Sequence, residues 1–281
     1  MRSLARFLHR HSRLRLAALL GAPLAWLVVA YLGSLAALLV TSLYRVDSFT
    51  SKLVKDVGWR NFNEVITTPV YRRVVLRSVL VAIGVTIVDL LLALPVAFYL
   101  AKVASPRIRR IVAVAVTMPL WASYLVKAYA MRAFLDPAGG LIKKAIGVSP
   151  GFGLASTVLV LAYLWLPYAI LPLYAGLERL PNSVLEASSD LGGHAGSTVR
   201  RIVMPILAPA IVAASIFTFS LSLGDYIAVD IVGGKTQLLG SVVYDNFVQN
   251  GPLAAAVAII PMIIMFVYLL GARSTGAFEN L

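Results

Sequence analysis

Leu180-Pro-Asn-Ser-Val-Leu-Glu-Ala-Ser-Ser-Asp-Leu-Gly-Gly-His-Ala-Gly-Ser-Thr-Val-Arg-Arg-Ile-Val-Met-Pro205 lies between two long apolar runs. Its reading decides the fold. Pro181 followed by Asn182 or Ser183 is a helix start, and Glu186 falls at the third helical position if Ser183 is the cap. A short helix over roughly 183–191 is expected. Val184, Leu185, Ala187, Ser188 and Leu191 then form a small apolar face, and Gly192 and Gly193 end the helix in a sharp turn. A second short helix should run from about 195 into Ile202, with Pro205 in the first turns of the next apolar run. The expected product is a helix–turn–helix whose apolar face is too small for a core of its own. Such an element suits docking into a groove on another protein.

The runs on either side fix the class. At 281 residues, 60% hydrophobic, 13% charged and with a mean hydropathy of +0.87, the chain departs from soluble composition and reads as a membrane protein. A crossing needs roughly 20 mainly apolar residues. Six stretches qualify, at about 17–43, 78–100, 111–134, 155–177, 203–224 and 253–271, joined by segments too short for a second soluble domain. We therefore expect an all-α membrane protein, one domain over 1–281, with six transmembrane helices and the 180–205 loop between spans 4 and 5. The first run follows Arg2, Arg6, Arg10, Arg13 and Arg15 and imitates a signal peptide, but it is too long and lacks a clear cleavage site.

Charge sets the orientation. The net charge of +13 would suggest a polyanion partner in a soluble protein, but in a membrane protein Lys and Arg mark cytoplasmic loops. With six spans, the terminal side carries thirteen basic residues against four acidic ones (Glu178, Glu186, Asp190 and Glu279), and the opposite side nine against seven. Both termini and the Glu186 loop are thus expected in the cytoplasm, and no nucleic-acid partner is implied. The chain has no cysteine, and His9, His11 and His194 all lie outside the apolar runs, so neither a thiol nucleophile nor a metal site is expected.

The loop resembles the signature of the inner-membrane permeases of binding-protein-dependent ABC importers: Glu-Ala-Ala, three residues, Gly, nine residues, Ile, one residue, Leu-Pro. Here it reads Glu186-Ala187-Ser188, then Gly192, Ile202 and Met204-Pro205, both spacings kept, with Ser188 for Ala and Met204 for Leu. The resemblance implies that the loop is a coupling helix seated in a cleft of an ATPase. It assigns Glu186, Ala187, Ser188, Leu191 and Gly192 to that contact. Beyond the loop, the likeness is closest to the polyamine (spermidine and putrescine) permeases. It is carried by Met118-Pro-Leu-Trp-Ala-Ser-Tyr-Leu-Val-Lys-Ala-Tyr129, by Tyr163-Leu-Trp-Leu-Pro-Tyr-Ala-Ile-Leu-Pro-Leu-Tyr174, and by the stretch from Gly224-Asp-Tyr to Gly233-Gly234. Importers of this kind pair two related permeases with an ATPase homodimer and a periplasmic or lipid-anchored substrate-binding protein in the bacterial inner membrane. ATP and Mg would be bound by the ATPase, and no cofactor by this chain. Relatives that carry ferric iron, thiamine, sulfate or opine-like compounds share much of the pattern.

A polyamine offers ammonium groups on methylene chains, so its path should combine carboxylates with aromatic faces. Asp89 is the only acid deep in a span and lies at about the depth of Trp121. An ionisable group there calls for a function and a partner, Lys127 being one structural candidate. Trp121, Tyr124, Ala128 and Arg132 fall on one narrow helical sector if span 3 is continuous. Lys127 and Arg132 are expected to reach toward the headgroups. Asp225, Tyr226 and Asp230 gather two carboxylates and a ring beyond span 5. No His-Glu-x-x-His, Gly-x-Ser-x-Gly or paired intramembrane carboxylates are present, and no Walker A sequence, so this chain is expected to be a transport subunit and not an enzyme.

Overall fold

The computed structural model describes residues 12–47 and 50–273. Arg2, Arg6, Arg10, His9, His11 and Glu279, which enter the charge and metal arguments above, lie outside the described residues, as does Ser274 onward. The described residues begin with α1 (Ser12–Leu27), a wide π turn at Val28–Leu32 and α2 (Gly33–Ser42). Two short antiparallel strands follow, β1 (Arg45–Val46) and β2 (Leu53–Val54), with Arg45 opposite Val54, so the chain is mostly but not wholly helical. After them come α3 (Arg60–Thr67), α4 (Pro69–Phe98), a second π turn at Tyr99–Val103, α5 (Pro106–Trp121), α6 (Tyr124–Leu135) and α7 (Leu141–Ile146). The remainder comprises α8 (Leu154–Arg179), α9 (Asn182–Asp190), α10 (Ala195–Thr198), a third π turn at Val199–Val203, α11 (Met204–Leu223), α12 (Ile227–Val232), α13 (Leu239–Gln249) and α14 (Gly251–Arg273).

Among the described residues, five helical segments are long and apolar enough to cross a membrane: Leu19–Ser42, Pro69–Val103, Leu154–Arg179, Ala195–Leu223 and Gly251–Arg273. The expected third span is not one helix. Its two halves, α5 and α6, meet at a bend of 100°. The cause is local: Pro119 sits in the last turn of α5, and Ala122 and Ser123 are extended, with ψ of 142° and 137°. Ala122 N–H bonds back only to Pro119 O, which closes the helix. The second segment starts nine residues before the apolar run because Pro69 at the first helical position sets the turn and the helix continues through Arg72, Arg73 and Arg77. At roughly 1.5 Å per residue its 35 residues exceed a ~30 Å hydrocarbon core.

The core is built by α4, α8 and α11, which pack on one another. Several hydroxyls on their buried faces are satisfied within the helix, as with Ser78 Oγ to Val74 O at 2.8 Å and Thr86 Oγ1 to Ala82 O at 2.7 Å. At Gly176, α8 comes close to α11. A Cβ added there would lie 2.6 Å from Ala210 Cβ and 2.9 Å from Leu207 Cδ1. Gly176→Leu should therefore wedge the two helices apart at a cost of about 1–3 kcal/mol, read as a lower melting temperature of the detergent-solubilised chain. On the outside of this core, α14 packs on α2, α3 and α13. No residue of α5 is buried.

Candidate functional site

At one end of the core, α9 and α10 form the helix–turn–helix expected from the sequence. α9 ends at Asp190 with Leu191 as its C-cap, and Gly192 follows with φ of +77°, a conformation that costs a side-chain-bearing residue energy but not glycine. Gly193 N–H then bonds Ser188 O at 2.8 Å, and a Cβ at Gly193 would fall 2.6 Å from Ser188 Oγ. The turn needs both glycines. Ser188 is buried, its hydroxyl 2.7 Å from Thr198 Oγ1, so it ties α9 to α10 and does not face outward. Glu186, Ala187 and Gly192 are exposed, and Leu191 is 89% exposed. Val184 and Leu185 turn the other way, onto a cluster that includes Leu177, Leu180, Val203 and Leu207. α10 is only four residues long and runs through the π turn straight into α11, so the second arm of the motif is the start of a long helix.

The expected side-chain cap of α9 does not form. The residue before the helix is Pro181, and neither Asn182 nor Ser183 caps it. Asn182 Oδ1 instead accepts from Lys102 Nζ at 3.2 Å, and the same ammonium donates to Leu180 O. Lys102 thus binds both the end of α8 and the start of α9. Next to it Arg109 donates to Leu100 O at 3.0 Å and lies 3.9 Å from Glu178, which accepts from Tyr174 Oη at 3.1 Å. The base of the loop is fastened to the turn after α4 by residues about 80 positions away, a link no local pattern announces.

In the core, Asp89 is fully buried on α4, and neither carboxylate oxygen has a hydrogen-bond partner. No ion pair joins it to Lys127, which is buried on α6. An unpaired buried polar group costs roughly 1–3 kcal/mol, and more if charged. The bend in span 3 separates two residues expected on one sector: Trp121 is 91% exposed on α5, whereas Tyr124 packs inward on α6 with its ring 5.8 Å from Trp165. Arg132 does not reach outward. It donates to Ile231 O, the carbonyl near the end of α12, and lies 4.7 Å from the Phe152 ring centre.

The far end of the core, opposite the helix–turn–helix, gathers the remaining candidates. Asp225 is 8% exposed, and its two oxygens are taken, one by Tyr124 Oη and the other by Ala228 N–H at 2.9 Å. It caps α12 and pins α6 to it. Burial raises its pKa above the usual carboxylate range, against the lowering by Tyr124 and the Ala228 and Val229 amides. Tyr226 stacks on Tyr244 of α13, ring centres 4.8 Å apart at 17°. The pair stands between two cavities. One, of about 220 Å³, is lined by Asp230, Asp245 and Lys235; the other, of about 320 Å³, by Phe247, Ala258 and Pro261. A third, of about 290 Å³, adds Glu64 and Tyr71 beside Asp245. Asp230 and Asp245 are exposed, and no described residue forms an ion pair with either. Sequence reasoning found Tyr226 and Asp230 but missed Tyr244, Asp245 and Glu64, although Leu239, Val242 and Val243 at helical spacing mark α13.

Comparison with known proteins gives the family. Residues 77–274 match the family described as "Binding-protein-dependent transport system inner membrane component". The chain is 38% identical to the inner membrane ABC transporter permease protein YdcU of Escherichia coli (strain K12), over 94% of this chain and 90% of that one. It is 30% identical to the spermidine/putrescine transport system permease protein PotB of the same strain, over 87% and 92%. Among solved structures, a chain of a bacterial alginate ABC transporter in complex with an alginate pentasaccharide-bound periplasmic protein superposes with a TM-score of 0.70 at 15% identity, covering 96% of both chains. A chain of the MetNI methionine ABC transporter in an inward-facing conformation gives 0.58 at 19% identity, over 73% of this chain and 94% of that one. Those two likenesses are of fold alone. The chain belongs to the binding-protein-dependent inner-membrane components and is an ABC-importer permease close to the polyamine permeases.

Proposed function

We propose that this chain forms half of a translocation pathway for a small organic cation, a polyamine such as spermidine or putrescine. In this reading the bent α5–α6 pair counts as one crossing, giving six, with both termini and α9 in the cytoplasm of a bacterial inner-membrane protein. A second related permease completes the pathway, an ATPase homodimer supplies the energy, and a periplasmic or lipid-anchored binding protein delivers the cargo at the Tyr226 end. Glu186, Ala187, Leu191 and Gly192 present the exposed surface that meets the ATPase. Ser188 holds that surface in shape from behind.

The observation that carries the substrate reading is the cleft around Tyr226 and Tyr244. On one side of the stacked rings are Asp230 and Asp245, and on the other Phe247, Ala258 and Pro261. Carboxylates and ring faces suit ammonium groups, and the apolar side suits the methylenes between them. Sulfate would meet two carboxylates here against the single ammonium of Lys235. Asp230→Asn and Tyr226→Ala should each raise the KM for spermidine uptake about tenfold, the equivalent of ~1.4 kcal/mol, in proteoliposomes containing the whole importer. An unchanged KM in both would remove the cleft from the path.

A further inference from the structure

The two ends of the 180–205 loop join the core in different ways. At its far end the chain stays helical, from Ala195 through the third π turn into α11 and on to Leu223. At its near end α8 and α9 are separated by two extended residues, Leu180 with ψ of 118° and Pro181 with ψ of 140°. Pro181 brings no N–H, and the extended backbone interrupts the helical ladder there, which leaves a joint.

Lys102 bridges that joint. Its Nζ donates to Leu180 O on one side and to Asn182 Oδ1 on the other, the latter at 3.2 Å. Lys102 comes from the π turn at Tyr99–Val103 that follows α4, where Leu100 and Ala101 are buried. That turn is itself held. Arg109 of α5 donates to Leu100 O at 3.0 Å and to Ala101 O at 3.3 Å, and it lies 3.9 Å from Glu178 of α8. The carbonyls that these two side chains meet belong to helix ends, which lack helical donors and favour cations. The ends of α4 and α8 and the starts of α5 and α9 thus meet through one ammonium and one guanidinium. The apolar contact of Val184 and Leu185 beside them is non-directional and would by itself let α9 slide.

We propose that Lys102 is a positioning residue for coupling: it locks the α8–α9 joint, so that α4 and α5 follow α9 when the ATPase moves it. This rests on the reading of α9 as the ATPase contact. The exposed Glu186 surface determines whether the ATPase engages, and Lys102 determines whether that engagement reaches the core helices. Loss of the ammonium therefore separates hydrolysis from transport, whereas loss of the Glu186 surface abolishes stimulated hydrolysis and uptake together.

The test uses the complete importer, purified with its partner permease, ATPase and binding protein, in proteoliposomes supplied with spermidine and ATP. It reads the ratio of spermidine imported to ATP hydrolysed. Lys102→Met keeps the methylene stem and removes the donor. It should lower that ratio about tenfold while hydrolysis continues and the KM for spermidine, set at the opposite end of the core, stays unchanged. Lys102→Arg should retain most of the ratio, and Asn182→Ala should lower it less than Lys102→Met because the bond to Leu180 O remains. An unchanged ratio in Lys102→Met would overturn the proposal, whether both rates stay at the wild-type level or fall together as in a misfolded loop. Glu186→Trp in the same importer separates the two readings. Normal stimulated hydrolysis and uptake there would defeat the ATPase contact and the Lys102 role with it. Sensitivity at Glu186 with an unchanged ratio in Lys102→Met would defeat the Lys102 role alone.

Discussion

Gly192→Val should reduce uptake to the background seen without ATP, while the chain still inserts in the membrane. Gly192 holds φ at +77°, and a β-branched residue in that region costs roughly 1–3 kcal/mol. The helix has a cheaper course, to let the turn unwind. That would release the Gly193 N–H to Ser188 O bond and the Ser188–Thr198 contact that set α9 against α10. The exposed Glu186 and Leu191 would then no longer be presented in fixed positions to the ATPase. A loss of roughly 2–3 kcal/mol from the engaged complex corresponds to about 30- to 150-fold in coupling. Replacing Glu186 with a bulky residue should act on the same contact without disturbing the turn. In both, substrate-stimulated ATP hydrolysis should vanish with uptake. Uptake that survived with normal stimulation would remove this loop from the ATPase contact.

Asp225→Leu is expected to destabilise the far end of the core by about 2–4 kcal/mol, because it leaves the half-buried Tyr124 hydroxyl without an acceptor and the first turn of α12 without its side-chain partner. For a chain of this size that is roughly 5–15 °C in melting temperature. Tyr124→Phe removes the donor and leaves one buried Asp225 oxygen unmatched, and should cost about 1–3 kcal/mol while α12 keeps the Ala228 bond. The pH dependence has an unusual sign. Burial raises the Asp225 pKa in the folded chain, so below the unfolded value near 4 Asp225 costs nothing, and its penalty enters as pH rises from there through the folded value. Asp225→Asn should therefore flatten the loss of stability with rising pH over that window, measured by thermal melts at several pH values. A slope identical to the wild type would show that Asp225 is not the group responsible. The contrast with Asp230 is useful, because Asp230→Asn should alter KM and leave the melting temperature alone.

Sequence reading reached those parts that local rules determine. The glycines at 192 and 193 announce their turn because positive φ and close backbone approach leave few alternatives. Apolar runs place some of the long helices to within a few residues, as at Leu154–Arg179 against the expected 155–177, but not the polar turns that extend others, as at Pro69–Val103 against 78–100. The break at Ala122–Ser123 was hidden because hydropathy continues across it, while Pro119 and Ser123 act on the backbone. The capping of α9 was misread because Asn182 looked free, and its competitor Lys102 lies 80 residues away. Asp225 looked like an available carboxylate for the same reason. Its partner Tyr124 is 101 residues distant, and only the bend in span 3 brings it there.

The central claim is that an organic cation crosses through this chain under the power of a separate ATPase. The most direct measurement is uptake of labelled spermidine and putrescine into proteoliposomes holding the purified importer, with ATP present or absent and with thiamine, ferric iron and sulfate as competitors. The account predicts uptake that requires ATP and the binding protein, and that is displaced by polyamines only. ATP-dependent uptake of one of the competitors, with spermidine and putrescine left outside, would contradict it.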